Sequence, residues 1–156
     1  MPNVSKRLDN TVLVKREDRQ PVHSFKIRGA YNRMRNLTEQ ERRAGVVTAS
    51  AGNHAQGVAL SGSRLGVKAR IVMPRPTPSI KVDAVRQLGG EVVLAGDSFD
   101  EAKTHALELA EHDGLTYVAP FDDPLVIAGQ GTIGLELIQD AADINRCLLY
   151  TSDAAD

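Results

Sequence analysis

Polar and apolar positions along the chain fall into short blocks that switch between two periods. Alternation every second residue marks a half-buried strand, and recurrence every third and fourth marks a helix with one buried stripe. Residues 11–17 are β-branched and alternating, which predicts a strand. Ser24 opens a helical stretch to about Leu37, and Thr38-Glu39-Gln40-Glu41 has the spacing of a capping box that starts a second short helix. Gly45 then introduces Val46–Ala49, a short buried strand. In the next stretch, Asn53–Leu65, the apolar positions Ala55, Val58, Ala59 and Leu65 keep helical spacing. Gly57, Gly62 and Gly66 lie among them; glycine weakens a helix, so close packing against a sheet is expected.

The alternation continues. Residues 68–73 predict a strand, 74–78 a proline-rich turn, and 79–88 a helix stopped by Gly89-Gly90. Residues 91–95 predict the next strand. Ser98 and Glu101 form a second capping-box pattern, for a helix striped by Phe99, Ala102, Ala106, Leu109 and Ala110. A last strand is expected at 115–119, and Asp123-Pro124 is an N-cap and first-turn pair for a helix reaching about Gln139. Strand and helix alternating at this spacing give an α/β fold, a parallel sheet with helices on both faces. Such sheets take ligands at the carboxyl ends of their strands, where helix N-termini point amides outward.

Composition narrows the class without naming it. Of 156 residues, 42% are apolar and 25% charged, enough to bury a core and too apolar for a disordered chain. No apolar run approaches the roughly 18 residues that span a bilayer, and the polar opening lacks the apolar stretch of a signal peptide. One cysteine, Cys147, excludes a disulfide framework and a cysteine zinc site, and fits a reducing, cytoplasmic compartment. The net charge of −1 is uneven: residues 1–43 carry eleven Lys/Arg against five Asp/Glu, and the remainder eight against fifteen. A basic end can meet nucleic acid or phosphate. With only Phe25 and Tyr31 as aromatics there and no recognisable module, no nucleic-acid or membrane partner is expected. An anionic small ligand or a solvated helical face explains the charge better.

Gly129-Gln130-Gly131-Thr132-Ile133-Gly134 matches G-x-G-x-x-G, which binds dinucleotides only between a strand and a helix. Residues 125–128 could form that strand, but Asp123-Pro124 starts a helix at least as well, and no second strand ending in an acid follows. The competing reading is a helix thinned by glycine for close packing.

Two motifs carry chemistry. In Ser24-Phe25-Lys26-Ile27-Arg28-Gly29-Ala30, Lys26 sits in the first turn of a helix, where the positive end of the macrodipole favours the neutral amine. A neutral amine attacks aldehydes; the alternative is a surface lysine beside Arg28. In Ser50-Ala51-Gly52-Asn53-His54-Ala55-Gln56-Gly57, small residues would let a carboxylate approach backbone amides at a strand end, with Ser50 and Asn53 adding polar groups. The alternative is a plain N-cap turn. Taken alone, His54 reads as a structural histidine, no metal-ligand spacing surrounds it, and His23, His105 and His112 have no sequence partners.

Together, Val14 to Lys26 followed by Arg28-Gly29-Ala30 resemble the pyridoxal-phosphate lysine signature of threonine dehydratases, and residues 50–57 are similar to that family's asparagine loop. The resemblance continues through Ile80-Lys81-Val82-Asp83-Ala84-Val85-Arg86, Gly89-Gly90-Glu91-Val92-Val93-Leu94, Pro120-Phe121-Asp122-Asp123-Pro124 and Ile127-Ala128-Gly129-Gln130-Gly131-Thr132, over roughly residues 5–146. Arg19-Gln20-Pro21-Val22-His23 looks like the biosynthetic branch. The resemblance implies the tryptophan-synthase-β-like fold and places the G-x-G-x-x-G stretch in a helix. It implies that pyridoxal 5′-phosphate is the cofactor, with Lys26 as its Schiff-base lysine, Phe25 close to it, and Asn53 on its ring hydroxyl. Ser50, Gly52, Asn53 and His54 would surround the substrate carboxylate. The implied reaction deaminates L-threonine, with L-serine as a second candidate substrate, to 2-oxobutanoate and ammonia in isoleucine biosynthesis, within a homo-oligomer of the full-length enzyme. Ala51 stands where the similar serine racemases carry a serine base, which favours elimination over racemisation; a serine dehydratase or racemase-like enzyme is the alternative. Residues 1–146 are then expected to be the N-terminal part of the catalytic region, a partial first lobe without the phosphate-binding glycine loop. Such a fragment would be inactive alone, and residues 147–156 would form a non-native tail.

Overall fold

Val46, Val47, Thr48 and Ala49 are all fully buried, as befits a strand covered on both faces. In the computed structural model, which describes residues 1–148, they form β1 (Val46–Ala49). With β2 (Ala69–Met73), β3 (Glu91–Leu94) and β4 (Thr116–Tyr117) they make a fully parallel sheet in the order β3-β2-β1-β4. The helices are α1 (Pro2–Leu8), α2 (Lys26–Arg35), α3 (Glu39–Ala44), α4 (Asn53–Leu65), α5 (Ser79–Gln87), α6 (Phe99–Asp113) and α7 (Pro124–Asp140).

The period of two along β2 sorts the core into layers. Ile71 and Met73 pack with Ala30 and Met34 of α2, Val58 and Ala59 of α4, and Val82 and Val85 of α5. Val72 faces the other way and joins Val47 and Ala49 against Ala102 and Ala106 of α6. The chain therefore steps outward from β1 through α4, β2 and α5 to β3. It then returns across the opposite face in α6 and lays β4 on the far side of β1.

Most expected elements are present within a residue or two. Thr38 completes both halves of its capping box with Glu41. Asp123 Oδ1 accepts from the amides of Leu125 and Val126 at 2.7 and 3.0 Å. The G-x-G-x-x-G stretch is helical, inside α7, and a Cβ on Gly129 would lie 2.6 Å from Arg28 O and Gly29 Cα. Glycine there thins α7 where it crosses α2. The close packing expected at Gly57 and Gly62 is also found, against Lys26 of α2 and against Val67 and Ala69 respectively, while Gly66 takes the left-handed cap.

Four expectations change. Residues 11–16 pair with no strand, Leu13 and Val14 are exposed, and Glu17–Arg19 is a 3-10 turn; alternation alone makes no strand where no ladder partner lies beside it. Ser98 caps α6 through Glu101 N, but the Glu101 carboxylate turns to Asp97 N at 2.7 Å, so the box is half formed. Phe99, first in its stripe, is exposed, whereas Ala102 and Ala106 are buried against the sheet and Leu109 and Ala110 pack partly buried beside them. The last strand shortens to two residues. The opening helix α1 was not expected and buries no residue. Of the tail expected at 147–156, Cys147 and Leu148 are exposed, and the rest lies outside the described residues. Among the described residues no helix is long and apolar enough to cross a membrane.

Candidate active site

Strand order reverses at β1, because β2 lies on one side of it and β4 on the other. In open parallel sheets the crevice outside the carboxyl ends of two such strands is where ligands bind. Two segments leave the sheet there: the 50–54 turn, which runs from β1 into α4, and the 118–123 segment, which runs from β4 into α7.

Lys26, the first residue of α2, reaches this crevice. Its Nζ donates to Pro120 O at 3.1 Å and lies 5.6 Å from the centre of the Phe25 ring. Helices α2 and α4 approach closely because Gly57 has no side chain: a Cβ there would sit 3.3 Å from the Lys26 carbonyl. The lysine and the 50–54 turn are thus brought to one place by glycine packing.

The turn is built around Ser50. Its Oγ accepts from Gly52 N at 3.2 Å and Ala55 N at 3.3 Å, so Ser50 ties down the first turn of α4 from two residues ahead of the N-cap, which is Gly52 and has no side chain to cap with. The first amides of a helix have no intrahelical acceptor, and at the positive end of α4 these are the amides of Asn53 and His54. His54 itself turns inward. Its Nε2–H donates to Val118 O at 3.1 Å, and its Nδ1 is buried with no partner among the described residues. Burial, opposed by that carbonyl and reinforced by the Lys26 charge, pushes the imidazole down to about 4, so it is neutral at pH 7. His54 can therefore offer an anion only its backbone amide, whereas the sequence suggested the residue without saying which atom. Thr48 Oγ1 donates to the same Val118 carbonyl at 2.7 Å.

Sequence reading missed the frame around Lys26. Arg28 Nε and Nη2 donate to the two Glu17 oxygens at 2.8 Å each, and Nη1 and Nη2 donate to Glu136 at 2.6 and 2.9 Å. Arg28 Nη1 also donates to Thr132 Oγ1 at 2.9 Å, and Lys15 Nζ lies 2.6 Å from Glu136. Hydrogen bonds from Arg28 and then Lys15 hold the Glu136 carboxyl down at about 2. Asp123 Oδ2 accepts from Arg33 Nε at 3.0 Å. These partners lie 11 to 108 residues from Arg28 and 90 from Arg33, beyond any local pattern. Part of the basic excess in residues 1–43 is neutralised by acids from beyond it, at Lys15 by Glu136 and Asp140, at Arg28 by Glu136 and at Arg33 by Asp123. Among the described residues no cluster could hold a metal ion.

A family model described as "Pyridoxal-phosphate dependent enzyme" matches residues 1–152. The chain belongs to the pyridoxal-phosphate-dependent enzymes. Within this family it is 65% identical over 146 residues to the biosynthetic L-threonine dehydratase IlvA of Escherichia coli, a match covering 94% of the chain and 28% of the relative. The chain thus spans little more than a quarter of the length of that curated relative. Among solved structures, the processed threonine deaminase isoform 2 of Solanum lycopersicum matches with a TM-score of 0.90 at 63% identity, over 92% of this chain and 39% of that one. Maize serine racemase matches with a TM-score of 0.88 at 33% identity, over 92% of this chain and 44% of that one. The parallel sheet with helices on both faces is accordingly the tryptophan-synthase-β-like pyridoxal-phosphate fold.

The residues present fit the ring end of pyridoxal phosphate. The cofactor's aldehyde needs an amine at a ligand crevice, which Lys26 provides. Polar groups for the ring edge are available at the start of α4, which begins at Asn53. The unpartnered Nδ1 of His54 leaves a buried acceptor close enough to feel the Lys26 charge.

Proposed function

We propose that the chain forms the lysine-bearing part of the active site of an L-threonine ammonia-lyase acting in isoleucine biosynthesis. The observation that carries this reading is Lys26 Nζ at the carboxyl end of a parallel sheet, 3.1 Å from Pro120 O, beside the α4 N-terminus. The 65% identity to a biosynthetic threonine dehydratase supports threonine as the substrate.

Lys26 would hold the cofactor through its amine, with Phe25 flanking it and Asn53 on its ring hydroxyl. When bound, pyridoxal phosphate supplies an electron-withdrawing ring that makes the substrate's α-proton removable. Once the substrate's amino group has replaced it on the cofactor, the released Lys26 amine would take that proton. The Ser50 hydroxyl and the amides of Asn53 and His54 receive the substrate carboxylate, and Gly52, lacking a side chain, lets it approach. Ala51 presents a methyl group, which cannot exchange a proton on the opposite face, and this supports elimination over racemisation. Threonine loses its β-hydroxyl as water and takes up one water as its nitrogen leaves. The products are 2-oxobutanoate and ammonia, with no oxidant or reductant needed. A cytoplasmic homo-oligomer belongs to the same reading, as does a non-native origin for the sequence of residues 147–156. The single cysteine fits a reducing compartment.

The test combines the chain with the remaining portion of the Escherichia coli relative, pyridoxal phosphate and L-threonine, with L-serine in parallel. Formation of 2-oxobutanoate that is lost in Lys26→Ala supports the reading. A covalent adduct on Lys26 without 2-oxobutanoate rejects the threonine lyase, and faster turnover of serine would assign the alternative substrate.

A further inference from the structure

Lys26 Nζ meets a main-chain carbonyl, and what holds that carbonyl in place lies on the lysine's own helix. Pro120 is in the irregular segment between β4 and α7, so no ladder fixes it. Behind it, the segment is anchored at Val118, whose carbonyl accepts from Thr48 and His54. Ahead of it stands Asp123. Its Oδ1 caps α7 through Leu125 N and Val126 N, while its Oδ2 accepts from Arg33 Nε on α2 at 3.0 Å. Both side chains of that pair are mostly buried. Arg33 is seven residues after Lys26, about two helical turns, and so shares its helix face. Asp123 closes a loop of contacts: Lys26 to Pro120, along the chain to Asp123, across to Arg33, and back down α2 to Lys26.

We infer that Asp123 and Arg33 are positioning residues for the Lys26 amine, acting through the Pro120 carbonyl. The inference deepens the assignment of Lys26 as the cofactor-bearing lysine and rests on it. A carboxylate that both caps a helix and binds a guanidinium has both oxygens committed, so it fixes the segment in two directions. A charge-assisted bond to Arg33 ties the segment to α2, so the lysine and its acceptor would move together when α2 shifts. The helices keep other ties, Asn32 Nδ2 to Leu125 O at 2.7 Å and Arg28 to Glu136 and Thr132, so loss of the Asp123–Arg33 pair should release the 120–123 segment without separating α2 from α7.

The test reads the amine directly and needs no turnover. The chain is acetylated with limiting acetic anhydride, and the modification rate of each lysine is followed by peptide mass spectrometry, with Lys68, Lys81 and Lys103 as internal references. Asp123→Asn keeps the cap and weakens the tie; Arg33→Gln leaves the cap untouched and removes the tie from the other side. Each should raise the Lys26 rate about fivefold to tenfold against the references, as expected for loss of one restraining hydrogen bond. The double variant should go no further at Lys26, because both changes break the same Asp123–Arg33 bond, and the longer Arg33–Glu41 contact at 3.8 Å lies outside the 120–123 segment. An unchanged Lys26 rate in folded variants overturns the inference. So does a uniform rise at all lysines, which would mean that the pair only holds the fold. A separate arm treats the unsubstituted chain with pyridoxal phosphate and borohydride. Modification of a lysine other than Lys26 would reject the cofactor assignment, while the acetylation result would still report on the Asp123–Arg33 pair.

Discussion

Arg28 and Glu136 join the lysine-bearing helix to α7 through two hydrogen bonds, 2.6 and 2.9 Å long, on a guanidinium already gripped by both oxygens of Glu17. Arg28→Ala strips two carboxylates of their shared cation, and Glu17 is largely buried. The variant should lose about 2 to 3 kcal/mol, less than a fully buried pair would, because Glu136 is partly exposed. Arg28→Lys should recover under half, since an ammonium cannot fork to two carboxylates. Urea titration measures both through the midpoint at constant slope. A midpoint within error of the unsubstituted chain would show that the network contributes nothing.

The same network predicts an acid limb. Glu136 titrates at about 2 in the folded chain against an ordinary 4.5, so the unfolded chain binds its proton first as pH falls. Its stabilisation is complete above about pH 4.5 and is lost as the pH drops toward 2. Glu136→Gln should flatten that limb and leave the shape of the profile above pH 5 unchanged. An equally steep fall in the variant would assign the acid sensitivity elsewhere.

His54 acts in a separate window. Its folded value of about 4 lies below the ordinary 6.5, so between these the unfolded chain takes up a proton that the folded chain refuses. Stability tied to the neutral ring is full above pH 6.5 and declines as the pH falls to 4, by on the order of 3 kcal/mol. The imidazole resonances of His54, followed by NMR, should titrate near 4, and a midpoint near 6.5 would mean that the ring is solvated.

The glycines of α7 should respond in opposite directions. A Cβ on Gly129 would lie 2.6 Å from two backbone atoms of α2, neither of which can rotate away. Gly129→Ala should cost about 1 to 3 kcal/mol through overpacking. Gly131 has nothing within 4 Å of such a Cβ, so Gly131→Ala should stabilise by about 0.5 to 1 kcal/mol through helix propensity alone. Thermal melts of the two variants settle the contrast, and shifts of the same sign would contradict it.

What the sequence made legible follows the range over which each signal acts. Caps and periods are local, so Thr38, Asp123 and the four strand–helix steps could be read directly. The two motifs were likewise visible at Lys26 and at 50–57, because helix starts and small-residue turns are written in adjacent positions. Residues 11–16 misled because their alternation carries no information about whether a partner strand lies alongside. Pro120 could not be read as the acceptor of Lys26, since a carbonyl has no residue signature and the contact spans 94 positions. His54 was visible as a residue of the loop, but the direction of its ring depends on Val118, 64 positions away.

The Val118 carbonyl has one further consequence. It points toward β1, where the next rung of a parallel ladder would form, yet two side chains, Thr48 and His54, have taken it. The β1–β4 seam is therefore stopped like a zipper with a pin through it, and the strands part at that point. The next rung would need an amide at residue 120, and Pro120 has none, so the segment leaves the sheet and its carbonyl stays with Lys26. The fork between the two strands is thus held open by chemistry inside the core, before any ligand arrives to wedge it.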